Sequence, residues 1–133
     1  LLPTDLVVAD SFDAPADIRT VAANAVPDGF LALDVGPETR AAFAAAVAEA
    51  KTLFWNGPLG VFEKPPFDEG TRAVAQALAR CSGFTLIGGG ETVAAANQAG
   101  VADRLGHVST GGGASLEFLA GRELPGVAAL ARP

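Results

Sequence analysis

Basic residues are scarce in this chain: 9 Lys plus Arg stand against 15 Asp plus Glu, for a formal charge of −6. That balance argues against nonspecific binding to nucleic acid or to anionic membrane surfaces, and neither is expected as a partner. There is one cysteine, Cys81, which excludes an intrachain disulfide and a cysteine-built metal cluster. It reads as a small residue packed at the end of a helix. The one histidine, His107, argues against a zinc site and reads as a hydrogen-bonding structural residue at a movable junction. No run approaches 18 strongly apolar residues, and the alanine-rich stretch after Arg40 contains Glu49 and Lys51, so no membrane span is expected. The N-terminus carries neither a basic region nor a secretory cleavage pattern, which makes a cytoplasmic protein the default expectation. Methionine is absent altogether, even at position 1, as in an internal or processed piece of a longer protein.

What is present is a chain of 133 residues that is 50% hydrophobic, enough for one modest α/β domain and without a composition break that would divide it. Leu6–Ala9 is a short apolar run, followed by a polar, loop-like stretch from Asp10 to Asp17. Phe30–Val35, bounded by Pro27-Asp-Gly29 and Gly36-Pro37, reads as a strand. Glu38–Ala50 reads as a helix with Phe43 and Val47 on one face. Thr52–Trp55 is a strand broken by Asn56-Gly-Pro-Leu-Gly60, where Gly57 and Pro58 restrict the chain. Asp68 is placed to cap a helix that carries Val74 and Leu78. Thr85–Ile87 is a strand, Thr92–Ala99 a helix that Gly100 ends, and His107–Thr110 the last strand before a helix around Leu116 and Leu119. Pro125-Gly126 is read as breaking that helix and leaving a short apolar tail. The recurring strand, loop and helix order predicts right-handed crossovers onto a mainly parallel sheet with both faces covered.

Two triple-glycine turns dominate the pattern. Gly88-Gly89-Gly90 follows one strand and leads into a helix through Glu91 and Thr92; Gly111-Gly112-Gly113 does the same after Ser109-Thr110. Bare backbone N–H groups at a helix N-terminus favour phosphate, and a carboxylate such as Glu91 is the ligand type that Mg²⁺ prefers. The bland reading is a pair of tight turns, with Glu91 favouring the helix dipole and no metal. Neither turn is a dinucleotide fingerprint, because Val93 stands where the third spaced glycine belongs, and no Gly-Lys-Ser/Thr of a P-loop occurs. Ser109 lacks the Gly-x-Ser-x-Gly elbow of an activated nucleophile. In Trp55–Glu63, Asn56 is either a phosphate-orienting amide or a turn residue, and Glu63 either accepts from ribose hydroxyls or faces solvent.

Taken together, Leu33-Asp-Val-Gly-Pro-Glu-Thr39, Phe54-Trp-Asn-Gly-Pro-Leu-Gly-Val-Phe-Glu63, Gly88-Gly-Gly-Glu-Thr92, Val108-Ser-Thr-Gly-Gly-Gly-Ala-Ser-Leu-Glu117 and Leu124-Pro-Gly-Val127 resemble the carboxy-terminal part of phosphoglycerate kinase. The resemblance covers essentially the whole chain. It implies a three-layer, Rossmann-like α/β fold, with residues 1–133 a portion of the nucleotide-binding lobe and 124–133 a tail that packs on the absent lobe. It implies ADP or ATP bound with Mg²⁺: Glu63 at the ribose, Asn56 near phosphate, Gly88, Gly89, Gly90, Glu91 and Thr92 at the phosphates, and Glu91 on the metal. Gly90 and Gly113 match positions whose backbone groups act on the transferring phosphoryl, and His107 with Thr110 matches a hinge. The implied reaction passes a phosphoryl group between 1,3-bisphosphoglycerate and ADP, giving 3-phosphoglycerate and ATP in glycolysis.

This sequence departs from the family's usual Asp at Glu91 and its usual Met at Leu59. Its two lysines, Lys51 and Lys64, lie in neither glycine turn. Phosphoryl transfer needs several negative oxygens neutralised. The chain alone is therefore expected to be inactive, with the missing cations supplied by the rest of the enzyme, in the same or another chain. A noncatalytic nucleotide-binding or assembly module of the same fold is the alternative.

Overall fold

The computed structural model describes residues 1–131; residues 132–133 of the expected tail lie outside them. Along the chain run β1 (Asp5–Ala9), β2 (Ile18–Ala22), β3 (Leu31–Val35), α1 (Pro37–Glu49), β4 (Thr52–Asn56) and α2 (Glu69–Arg80). Then follow β5 (Phe84–Gly88), α3 (Gly90–Gln98), a single 3-10 turn at Ala102–Arg104, β6 (His107–Ser109), α4 (Gly112–Leu119) and α5 (Pro125–Leu130).

The strands form two sheets. β4, β5 and β6 pair in parallel in that order, as the repeated strand-to-helix crossovers demand. Side chains alternate across these strands, so Trp55 and Ile87 point to one face and Phe54 and Leu86 to the other. The first face is the core: Trp55 and Ile87 pack with Val47 of α1, Val74, Ala75 and Leu78 of α2, and Ala95 and Ala96 of α3. Burying a side chain such as Ile87 or Leu78 is worth about 1.5–3 kcal/mol, which holds β5 and its following turn against α2 and α3. On the opposite face lie α4 and Leu124. Three layers result, the third of them thin.

The second sheet, β2-β1-β3, is antiparallel throughout and was not foreseen. β2 escapes a search for alternating apolar residues because four of its five side chains are exposed. Its place is set from outside: all five residues pair with β1, and the Asp10 carboxylate accepts from the N–H groups of Ala16 and Asp17 to close the connecting loop. Ala9, Leu33 and Phe67 join this sheet to the loop between β4 and α2, and the Leu33 carbonyl accepts from the Val61 N–H at 2.9 Å.

Helix ends also differ from the sequence reading in instructive ways. Asp68 does occupy the N-cap position of α2, but its backbone is helical (φ −99°, ψ −6°) and its side chain makes no capping bond. The Gly70 N–H donates to the buried Asp34 carboxylate of β3 instead, at 2.8 Å. α1 is served in the same manner by Asp5 of β1, which accepts from Thr39 N at 2.8 Å, Glu38 N at 3.0 Å and the Thr39 hydroxyl at 2.6 Å. Gly100 ends α3 as expected: with φ +68° it donates to Asn97 O while Val101 donates to Ala96 O, the paired bonds of a Schellman turn. Pro125 opens a short helix, α5, where an apolar tail was expected. A proline at the first helical position gives up an N–H that no intrahelical acceptor would meet. No helix among the described residues is long and apolar enough to cross a membrane.

Candidate active site

Parallel pairing aligns Asn56 with Gly88 and Gly88 with Ser109, so three loops leave the sheet side by side at the carboxyl ends of their strands. Both flanking helices begin inside a glycine triplet, α3 at Gly90 and α4 at Gly112. The N–H groups of a first helical turn have no intrahelical acceptors, so two sets of backbone donors and two positive helix ends converge on one rim, although the Gly112 N–H is taken by Thr110 O at 3.2 Å.

The residues singled out in the sequence divide here into struts and open groups. Asn56 is a strut through its Nδ2, which donates to Gly88 O at 2.8 Å and ties β4 to the first turn. Thr92 is another: fully buried, its hydroxyl accepts from the Gly57 N–H at 2.8 Å and fastens α3 to the loop after β4. Gly89 takes φ +97° and donates to Ser109 O at 3.1 Å, joining the first turn to β6. The Ser109 hydroxyl accepts from Gly111 N at 3.1 Å, and the Ser115 hydroxyl donates to Gly111 O at 2.6 Å, so both serines brace the second turn. Gly90, Glu91 and Gly113 are the open groups. All three are exposed, and a methyl group placed on Gly90 or Gly113 would meet nothing within 4 Å.

Glu63 stands apart from this cluster. The carbonyl of neighbouring Phe62 accepts from Gln98 Nε2 at 3.1 Å, at the far end of α3 from Gly90. The helical rise over those eight residues is about 12 Å. Neither lysine reaches the rim. Lys64 donates to the carbonyls of Phe12 and Asp13, and Lys51 precedes β4, roughly 16 Å of strand away from Asn56. His107 is exposed at the start of β6, where its backbone pairs with Leu86 and its imidazole makes no hydrogen bond among the described residues. It lines an apolar cleft of about 400 Å³ with Phe54, Leu86, Phe118, Leu119 and Leu124, under α4 on the thinly covered face of the sheet.

The second turn was singled out as a whole, but the separate part that Gly112 plays in it was missed. A methyl group on Gly112 would stand 2.8 Å from Asn56 Nδ2 and 2.9 Å from Gly89 Cα, so the middle glycines of the two triplets touch. Their equivalent place in each triplet was the available sequence signal. Nothing local in the sequence says that position 89 and position 112 meet.

An α/β protein with glycine turns at the carboxyl ends of parallel strands belongs to the class that binds ligands at that edge of the sheet. The chain belongs to the phosphoglycerate kinase family, whose model matches residues 1–122. It is 60% identical over 130 residues to the phosphoglycerate kinase of Moorella thermoacetica and 58% identical to that of Roseiflexus castenholzii, covering 98% of this chain and 33% of each relative. The solved phosphoglycerate kinase of Coxiella burnetii superposes with a TM-score of 0.88 at 44% identity, over 96% of this chain and 33% of that one. That of Pyrococcus horikoshii gives 0.81 at 32% identity, over 96% of this chain and 31% of that one. The chain thus spans about a third of the length of the relatives it matches.

Proposed function

We propose that this chain is the carboxy-terminal portion of the nucleotide lobe of a phosphoglycerate kinase, and that its glycine rim holds the phosphates of ADP or ATP during transfer to and from 3-phosphoglycerate. The observation that carries the reading is the strand-end row Asn56, Gly88, Ser109, which sets two helix N-termini side by side with their third glycines open. In this reading the first turn, Gly88 to Thr92, takes the nucleotide phosphates, while Gly90 and Gly113 direct backbone N–H groups at the transferring phosphoryl. Glu63 takes the ribose, and the spacing along α3 suits a nucleotide laid from loop to turn.

Mg²⁺ fits the donor set as a nucleotide-borne ion. No group of three His, Cys, Asp or Glu side chains gathers among the described residues, whereas Glu91 offers one exposed carboxylate beside the turn. An ion of this kind is held by phosphate oxygens, water and one or two carboxylates. When bound it would neutralise charge on the phosphates. No general base is required of this chain, because the 3-phosphoglycerate carboxylate is already ionised and attacks in line. Closure at His107 and Thr110 would bring the lobes together and exclude water.

Among the described residues no lysine or arginine side chain makes a hydrogen bond or ion pair at the rim, whereas the phosphates of ADP or ATP need cations, so we assign activity to the complete enzyme and place the protein in the cytoplasm. The apolar cleft and the segment from Leu124 onward are where the remainder packs. Titration of the isolated chain and the complete enzyme with Mg-ADP, followed by assay with 1,3-bisphosphoglycerate, tests this. The isolated chain is expected to transfer nothing and the complete enzyme to turn over. Turnover by the 133-residue chain alone would refute the division of labour, and nucleotide binding without transfer by the complete enzyme would favour a binding module.

A further inference from the structure

We propose that Gly112 is a positioning residue for phosphoryl transfer: lacking a side chain, it lets the second glycine turn seat against Gly89 and Asn56 of the first, so that Gly90 and Gly113 present one shared cradle. This rests on the functional reading above.

The geometry is specific to the middle glycines. A methyl group on Gly112 would lie 2.8 Å from Asn56 Nδ2, 2.9 Å from Gly89 Cα and 3.2 Å from Gly89 N. Two of these neighbours are backbone, and the third is pinned by its hydrogen bond to Gly88 O, so none withdraws without breaking the first turn. One residue further along each triplet, at Gly90 and Gly113, space is open. Contact at the second glycine and clearance at the third are two parts of one arrangement, because the contact sets the gap between the clearances.

The two turns are unequally anchored, which decides what moves under strain. The first is held by the Asn56, Thr92 and Ser109 bonds and stands on buried Ile87 and Gly88. The helix behind the second, α4, has no buried residue. A side chain at Gly112 therefore displaces the second turn and leaves the first in place. Nucleotide affinity should survive while the alignment of Gly113 does not.

Gly112→Ala in the complete enzyme is expected to lower kcat at least tenfold, with the Kd for Mg-ADP changed less than about threefold and the melting temperature close to that of the parent. An unchanged kcat would overturn the proposal. So would parallel losses in kcat, Mg-ADP affinity and thermal stability, the mark of a merely structural glycine. A second measurement needs no substitution and no activity: in the glycine-labelled complete enzyme, a nuclear Overhauser contact between the α-protons of Gly89 and Gly112 is expected with and without Mg-ADP. Its absence in both states would refute the joint even if Gly112→Ala failed to fold. An inactive parent enzyme would instead sink the functional reading, with the proton contact still judging the joint.

Discussion

A methyl group would meet nothing at Gly90 or Gly113, and neither residue has a positive φ, so the fold itself does not require glycine there. Within a helix alanine is the better residue, by roughly 0.5–1 kcal/mol in the interior and by less in the first turn. Gly90→Ala and Gly113→Ala are thus expected to preserve or raise the melting temperature of the complete enzyme while lowering phosphoryl transfer tenfold or more. Full activity in both would show that the open space is incidental. Glu91 poses a different question, since an exposed acid in the first turn of a helix stabilises it without any metal. Glu91→Gln is expected to weaken Mg-ADP binding about tenfold, or ~1.4 kcal/mol, and Glu91→Asp to alter it less. Isothermal titration with no change in either variant would remove Glu91 from the metal. The triplets were legible in the sequence as phosphate-binding candidates, yet which glycine touches, which turns and which stays open was not.

At the scale of elements, α1 and α2 both draw N-terminal acceptors from strands far away in sequence. Burial alone would push the Asp5 carboxyl up, but the Thr39 hydroxyl and the N–H groups of Thr39 and Glu38 hold it below the ordinary aspartate value. An unfolded Asp5 titrates near that ordinary value, about 3.9. The contribution of Asp5 to stability is therefore complete above about pH 5, roughly a unit above the unfolded value, and is lost as the pH falls through the lower folded value. Asp34 has the opposite sign: burial pushes its carboxyl up against the N–H groups of Gly70 and Val35 and the charge of Arg40. Its ionised form weakens the fold, and acid relieves this as the pH falls through the raised folded value. Asp5→Asn is expected to lose about 2 kcal/mol at neutral pH, the worth of a charge-assisted bond, and to flatten the acid limb of a denaturant-derived stability profile. An acid limb as steep as the parent's would assign it to other carboxylates. Five strands, α1 to α4 and the Gly100 stop followed from local pattern, while β2 and α5 did not. The partners of the caps did not, since Asp68 was the nearer candidate and only the approach of β3 put Asp34 on Gly70.

At the scale of the molecule, the layer over Phe54 and Leu86 is incomplete, and Phe118 (69%), Leu119 (63%) and Leu130 (89%) are left exposed. Phe118 and Leu119 line one apolar cleft with Phe54 and Leu86, and an exposed apolar patch is the kind of surface that interaction sites present. The isolated chain is expected to bind a hydrophobic dye and to self-associate in sedimentation, while the complete enzyme does neither; a monomeric, dye-silent chain would mean that this face needs no cover. The sequence by itself determined the family, the strand-to-helix rhythm and the two glycine turns, because each rests on residues adjacent in the chain. The tertiary structure alone decided that Gly89 meets Gly112, that Asn56 is spent on Gly88, and that β2 is a strand at all. Those facts depend on register between segments tens of residues apart, where pairing and close approach, rather than local preference, determine which atoms meet.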